Sequence, residues 1–492
     1  MTSPPSFSLL HALAERLGPK GYTAEPGAMA PWLTDWRGRY HGAAAALLSP
    51  ADTDEVADIV GMCAKEKVAL VPQGGNTSMA GGATPGAEGS GLLLSMRRMS
   101  RIRLLSAEAN SAVCEAGVIL SDLHHAAASA GRRFPLSLGA KGSATIGGLV
   151  STNAGGTQVL RFGTMRGLVQ GIEAVLPDGS RFDGLTPLKK DNRGYDLRQL
   201  LIGAEGTLGV VTAASLKLVP AIGARAVAWV GLSSPDHALT LLRLLEERTG
   251  EAVESFELVP RSALELVLRH VPGTRRPLEG DHPWHVLIEA TGPSGGPDPY
   301  ALIETALQEA FERDVVQDAA IGANEAQAES FWKIRDSISE AEQKDGPAAK
   351  HDVSVEVAAM PSFIVNAAAA VEARFPGVRV IAFGHLGDGN VHFNVRAHEG
   401  ATDWLQRDAP AVTSYVHDLV VEAGGSISAE HGIGQMRLSE LARLTDPARL
   451  NAMRAIKKAL DPHGIMNPGK LVPPFDAAQD RPFYAAQEGL AE

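Results

Sequence analysis

Two glycine-dense stretches, "LVPQGGNTSMAGGATPG" at 70–86 and "SLGAKGSATIGGLVSTNAGG" at 137–156, constrain this chain more than any other feature. Glycine weakens helix and strand interiors by roughly 0.5–1 kcal/mol relative to alanine, so both stretches read as loops held by their neighbours. Short strand-like runs such as "SAVCEAGV" and a helical "LSDLHHAAASAG" lie between them. In the first loop Pro72 sets the approach, Gly74, Gly75, Gly81 and Gly82 allow unusual dihedrals, and Asn76, Thr77 and Ser78 add hydrogen-bonding groups. Such a loop can aim several backbone N–H groups at one anion, or it can be an ordinary surface loop. The second stretch favours a ligand, because two concave backbone surfaces can clasp a pyrophosphate from both sides.

Two familiar nucleotide signatures fail. No GxGxxG opens a helix after a strand, which argues against a Rossmann site. "GIMNPGKL" (464–471) mimics a P-loop as far as Lys470, but Leu471 stands where a magnesium-binding Ser or Thr is needed.

At 492 residues the chain exceeds one hydrophobic core. We expect a first domain over 1–220, an α+β second domain over 221–425, and a small, mainly helical segment over 426–492. Strand-like runs ("RAVAWVGL", "EAVESFELV", "WHVLIEA", "HDVSVEV", "RVIAFGH") alternate with amphipathic helices such as "DHALTLLRLLEER" and "APAVTSYVHDLVVEAGG". This pattern predicts a sheet with one face covered by helices. A net charge of −12 argues against nucleic-acid binding, so an anionic substrate needs local cations. The two cysteines, Cys63 and Cys114, form no metal-spaced cluster or disulfide framework. "MTSPPSFSLLHALAERLGPKGY" lacks the layout of a signal peptide, and Phe7, Leu10, Leu13, Ala14 and Leu17 suit an amphipathic helix. No run reaches the ~18 apolar residues of a membrane span. The expected compartment is cytoplasmic.

The chemistry concentrates in "FGHLGDGNVHFNV" (383–395). A two-residue turn at Asp388-Gly389 predicts that His385 faces His392 across a hairpin, with Asn394 on the same face. Two opposed histidines can simply be solvated, or they can converge on an ion. "SISAEHGIG" (426–434) adds Glu430 and His431, and a His/His/Glu set suits catalytic Zn²⁺, with Mn²⁺ and Fe²⁺ as alternatives. Glu430 and His431 are adjacent, so both can enter one site only from irregular backbone, which Gly432 and Gly434 permit. Upstream, Arg335 and Lys350 read singly as surface charges.

Taken in order, "VPQGGNTSMAGG", "LGAKGSATIGGLVSTNAGG", "KKDNRGYDLRQLLIGAEGTLG", "FGHLGDGNVHFNV", "SAEHGIG" and "IMNPGK" span most of residues 40–475. Together they resemble the vanillyl-alcohol oxidase/p-cresol methylhydroxylase flavoprotein superfamily, in its branch of D-2-hydroxyglutarate-, D-lactate- and glycolate-oxidising enzymes. The resemblance implies an α+β fold with a two-part FAD-binding domain of the p-cresol methylhydroxylase type and an antiparallel sheet flanked by helices. It assigns the flavin to Pro72, Gly74, Gly75, Asn76, Thr77, Ser78, Gly139, Ser143, Ile146, Gly147, Asn153, Gly156, Glu205, Gly209, Val210 and Asn467. No His or Cys stands among Gly74-Gly75-Asn76-Thr77 for a covalent flavin link, so a dissociable FAD is expected.

By the same resemblance His385, His392 and Glu430 hold a divalent metal, and His431 is the catalytic base. Arg335, Ser339, Lys350 and Asn394 contact the substrate together with His431. Relatives acting on hydroxyglutarate tend to carry Thr at the position of Ser339, which keeps the hydroxyl and removes a methyl. The implied reaction is oxidation of a D-2-hydroxy acid, foremost D-2-hydroxyglutarate, with D-lactate or a glycolate-type substrate as alternatives. An oxidase using O₂ and a non-catalytic flavin scaffold are the rivals. Electron-transfer flavoprotein or a quinone is the acceptor by resemblance, although no segment identifies a docking surface, and the sequence leaves the oligomeric state open, a homodimer included.

Overall fold

The apolar runs after residue 223 fold into one seven-stranded antiparallel sheet. In a computed structural model describing residues 2–188, 190–398, 401 and 403–474, its strands run in the order Asp318–Ile321, Ala224–Leu232, Trp284–Gly292, Val253–Pro260, Arg379–His385, Asn390–Arg396 and Ala348–Ser354. Successive residues of a strand point to opposite faces, and beyond Arg225 both sets of Ala224–Leu232 are apolar or glycine. Ala226, Ala228 and Val230 join one core, against helices Pro235–Thr249, Pro299–Glu312, Met360–Arg374 and Ala409–Glu422. Val227 and Trp229 join a second core with helices Arg261–His270, Glu325–Asp336 and Ile338–Asp345. The expectation of helices on one face is corrected here. Strands apolar on both sides need cover on both. Toward Asn390–Arg396 and Ala348–Ser354 the second face turns polar, carrying His392, Asn394, Lys350 and Asp352.

Two smaller sheets carry the glycine loops. Four strands run in the order Tyr22–Thr23, Leu47–Leu48, Leu92–Ser95 and Leu70–Gln73, the last three mutually parallel. Five antiparallel strands follow in the order Ile102–Ser106, Ser111–Glu115, Val210–Lys217, Val169–Val175 and Arg181–Gly184. The first glycine stretch leaves the end of Leu70–Gln73, and the second runs into the short helix Ile146–Ser151.

The N-terminal helix Phe7–Gly21 buries Leu9, Leu13 and Leu17, whereas Phe7 is 85% exposed. Of the expected stripe, Leu13 and Leu17 are buried and Leu10 packs against the core, but Leu9 takes the place of Phe7: Ser6 caps the helix, and Phe7 projects from its first turn. After helices Leu438–Leu444 and Pro447–Leu460 the chain returns to the first sheet. There Leu70 N donates to Ile465 O and Asn467 N donates to Leu70 O, both at 2.8 Å. The large sheet is tied to the glycine-rich part through buried Glu254, which pairs with Arg133 and, at 2.7 Å, with Arg161.

Candidate active site

Cross-strand registry places the polar side chains. Phe383 faces His392, which faces Asp352; Ile381 faces Asn394, which faces Lys350. Residues two apart share a face, so His385 joins this group and lies opposite Glu257 of the neighbouring strand. Glu257 is fully enclosed: Oε1 lies 2.7 Å from His385 Nδ1, and Oε2 accepts from Arg335 Nε at 2.9 Å. Burial opposes its charge, but His385 and Arg335 outweigh that and hold the carboxyl at about 2. In turn Glu257 outweighs the burial of His385 and raises that imidazole to about 9, so an ion bound at Nε2 would displace a proton there. An ionised carboxylate only accepts, so Nδ1 of His385 carries the proton and Nε2 is the nitrogen left for a ligand. A carboxylate behind a histidine in this way orients a metal ligand and raises its basicity.

The hairpin differs from its expected register. His385 pairs with Asn390, and His392 pairs with Phe383, around a four-residue connection, 386–389. The wider turn forms because the N–H groups of Asp388 and Gly389 both donate to His385 O, Asp388 Oδ1 accepts from Asn390 N, and Leu386 N is drawn to Phe256 O of the next strand. This displaces the register by two residues, which preserves the face of every side chain. His385 and His392 therefore meet diagonally, their ring centroids 5.5 Å apart and nearly perpendicular. His385, His392 and Glu430 each offer a ligand atom, all within 4.8 Å of one another, a donor set that fits a divalent ion. Burial raises the Glu430 carboxyl to about 7, a cost that a cation would remove.

Glu430 and His431 lie on the irregular segment foreseen for them. Asp352 Oδ2 accepts from both of their backbone N–H groups, each at 2.9 Å. Two residues on, Ile433 N and Gly434 N donate to the separate oxygens of Glu205, each at 2.8 Å. Gly432 has φ +74°, and a Cβ there would meet Glu205 Oε1 at 2.7 Å, so that approach needs glycine. His431 Nδ1 faces Asp352 Oδ2 at 3.4 Å, which leaves Nε2 for a reacting group. Burial lowers the His431 pKa, with Asp352 opposing, and so favours the neutral imidazole a base requires.

A cavity beside this segment is lined by Ser339, Lys350, His392, Asn394 and His431, with Arg37, Arg39 and Arg437 adding positive charge. Arg335 stands outside that lining, its guanidinium 5.1 Å from the Phe383 ring and held by Glu257. Lys350 Nζ lies 3.3 Å from buried Glu342, which also accepts from Asn394 Nδ2 at 2.8 Å.

A second cleft opens between the glycine stretches, lined by Pro72, Gly74 and Ser78 on one side and by Gly147, Glu205, Gly209 and Val210 on the other. The stretches touch backbone to backbone: a Cβ on Gly75 would sit 1.8 Å from Ser143 O. Thr145 Oγ1 and Gln73 Oε1 are buried there without partners, groups that a bound polar cofactor can satisfy. These features fit FAD. The other assigned residues brace the cleft. Asn76 Nδ2 donates to Thr34 O, Asn153 Oδ1 accepts from Arg166 N, and Asn467 Nδ2 donates to Gly82 O and Glu205 O. Ile146 is core, and Gly156 packs on Ser137 O. Thr77 and Gly139 lie outside the cleft lining. Asn76, Asn153, Glu205 and Asn467 all hold positive φ, a strain that clusters where backbone is shaped around a ligand. His431 lines both this cleft and the cation-rich cavity.

Sequence reasoning missed Glu257, Asp352, Arg37, Arg39 and Arg437. The first two carried a signal, an acid inside a strand-like apolar run. The arginines carried none, since only folding brings residues 37 and 437 to one cavity.

Residues 44–183 match an FAD binding domain, and residues 223–471 match the C-terminal domain of FAD linked oxidases. The chain is 38% identical over 460 residues to mitochondrial D-2-hydroxyglutarate dehydrogenase of Arabidopsis thaliana, covering 93% of this chain and 80% of that one. It is 35% identical over 487 residues to D-2-hydroxyglutarate dehydrogenase of Xanthomonas citri pv. viticola, covering 98% and 100%. In fold it is similar to p-cresol methylhydroxylase with substrate bound, at TM-score 0.73 and 14% identity, covering 96% and 98%.

Proposed function

The chain belongs to the FAD-linked oxidase family, among the relatives of D-2-hydroxyglutarate dehydrogenase, and on that premise we propose that it oxidises D-2-hydroxyglutarate to 2-oxoglutarate with the aid of a divalent metal. One observation carries the reading: a single neutral-favoured histidine, His431, faces both the glycine cleft and the cation-rich cavity.

The residues suited to the flavin are those of the cleft, and His385, His392 and Glu430 suit the metal. When bound, FAD supplies the two-electron acceptor and the ion supplies the charge that makes a coordinated hydroxyl more acidic. Asn394 and Lys350 offer donors to the substrate's α-carboxylate. His431 Nε2 takes the C2 hydroxyl proton as the C2–H bond breaks and its electron pair leaves with the hydrogen, giving the 2-oxo acid. Asp352 holds His431 in place from behind through its backbone N–H and faces Nδ1, where it stabilises the imidazolium that forms.

Anaerobic addition of D-2-hydroxy acids to the flavin-loaded protein tests the reading. D-2-hydroxyglutarate should bleach the visible flavin band faster than D-lactate or glycolate, and His431→Ala should stay yellow without bleaching. Bleaching only by monocarboxylic acids, or undiminished bleaching in His431→Ala, would contradict it.

A further inference from the structure

Between helix Pro26–Leu33 and strand Leu47–Leu48 the chain makes a tight bend around Asp35. The buried Asp35 carboxylate accepts from Arg37 N at 3.2 Å and from Arg39 N and Tyr40 N at 2.6 Å. The bend is fastened to the first glycine stretch, where Asn76 Nδ2 donates to Thr34 O at 2.8 Å and Gln73 Nε2 donates to Trp32 O at 3.0 Å. Arg39 also reaches Met436, on the segment that carries His431, at 4.0 Å. Wedged between these two loops, the bend turns Arg37 and Arg39 into the cavity of Lys350, Asn394 and His431.

The other cations near that cavity are already engaged. Arg437 donates to Gly432 O at 2.6 Å and Ser428 Oγ at 3.2 Å, Arg335 is held by Glu257, and Lys350, beside Glu342, is the donor offered to the α-carboxylate. Arg37 differs. Its Nε is buried without a hydrogen-bond partner, its guanidinium lies 5.5 Å from the Trp36 ring, and among the described residues it forms no ion pair, Asp35 and Glu342 acting on it only from farther away. A desolvated guanidinium nitrogen without an acceptor is costly, and the planar fork of arginine matches a carboxylate.

We propose that Arg37, with Arg39 beside it, binds the second carboxylate of a dicarboxylic D-2-hydroxy acid, while the reacting end lies toward His392, Asn394 and His431. This rests on the proposed function and makes the N-terminal bend the element that selects dicarboxylates.

The test compares kcat/KM for D-2-hydroxyglutarate with that for D-2-hydroxyvalerate, which lacks the distal charge, in wild type, Arg37→Met and Arg37→Lys. The dicarboxylate-to-monocarboxylate ratio should fall about 10- to 150-fold in Arg37→Met, the loss expected of one charge-assisted hydrogen bond, and chiefly through KM. Arg37→Lys, which keeps the charge but loses the fork, should fall less. If Arg37→Met does not retain flavin, Arg37→Lys carries the test, and an unchanged ratio in it overturns the proposal. Equal losses on both acids also overturn it, because Arg37 would then act on the fold or the flavin. A wild type that prefers D-2-hydroxyvalerate contradicts the proposed function itself. A dicarboxylate preference that survives in the variants contradicts Arg37 alone.

Discussion

His385 Nδ1 lies 2.7 Å from Oε1 of Glu257, a carboxylate with no exposed surface, on a neighbouring strand of the same sheet. The pair fixes which imidazole nitrogen is protonated and therefore which one can bind a metal. The same carboxylate holds Arg335, so one buried anion organises both a proposed metal ligand and a nearby cation. Replacing a group that supports a metal ligand in this way typically costs 10–100-fold in affinity. Glu257→Gln should weaken Zn²⁺ or Mn²⁺ binding by about that factor while the protein stays folded and yellow. Chelator competition followed by metal analysis measures it; unchanged affinity would remove Glu257 from the metal site.

Asp352 restrains the segment that carries Glu430 and His431 by accepting both backbone N–H groups on one oxygen. Asp352→Ala frees that segment without touching the glycine cleft. A displacement of ~1 Å in a reacting group can cost about 100-fold in rate. We expect kcat to fall by about that factor with flavin content unchanged, read from steady-state kinetics beside the flavin absorbance. Loss of flavin in step with activity would place the effect on the fold instead.

Glu254 ties the large sheet to the glycine-rich half through Arg133 and Arg161. Removing one partner of a buried pair leaves uncompensated charge and costs about 3–5 kcal/mol. The arginines here are partly exposed, at 17% and 21% of their side chains, so Glu254→Ala should fall near the lower end, at ~3 kcal/mol. Urea unfolding measures it, and a change below ~1 kcal/mol would make the contact incidental.

Burial holds His285 at about 4 and His351 at about 3. In the unfolded chain both bind protons near ~6.5. Between those values the unfolded state holds more protons, so stability rises with pH and is lost on acidification from 6.5 toward 4. Each histidine contributes up to about 1.4 kcal/mol per pH unit in that window. Urea midpoints at pH 7 and pH 5 should differ accordingly, with a shallower dependence in His285→Leu. An identical slope in that variant would contradict the assignment.

Much of this site was legible before folding because its chemistry sits in short contiguous motifs. His385, His392, Glu430 and His431 are read from two segments of the chain. The hairpin register was not, since Asp388-Gly389 resembles a two-residue turn, while pairing of Leu386 N with Phe256 O favours a longer connection. The side chains kept their face only because the displacement was even. Arg335 illustrates another limit: its charge is visible in sequence, but its partner Glu257 is 78 residues away, and only the packing of helix Glu325–Asp336 on the sheet reveals that it is engaged. Helical cover on both faces was foreshadowed by "AVAWVG", whose alternate residues are all apolar or small.

The most direct test of the account is anaerobic flavin reduction by D-2-hydroxyglutarate before and after verified metal removal. The metal-loaded protein should bleach. The chelated protein should keep its flavin band yet fail to bleach until Zn²⁺ or Mn²⁺ is returned. Equal bleaching rates with and without metal would contradict a catalytic role for His385, His392 and Glu430 as ligands.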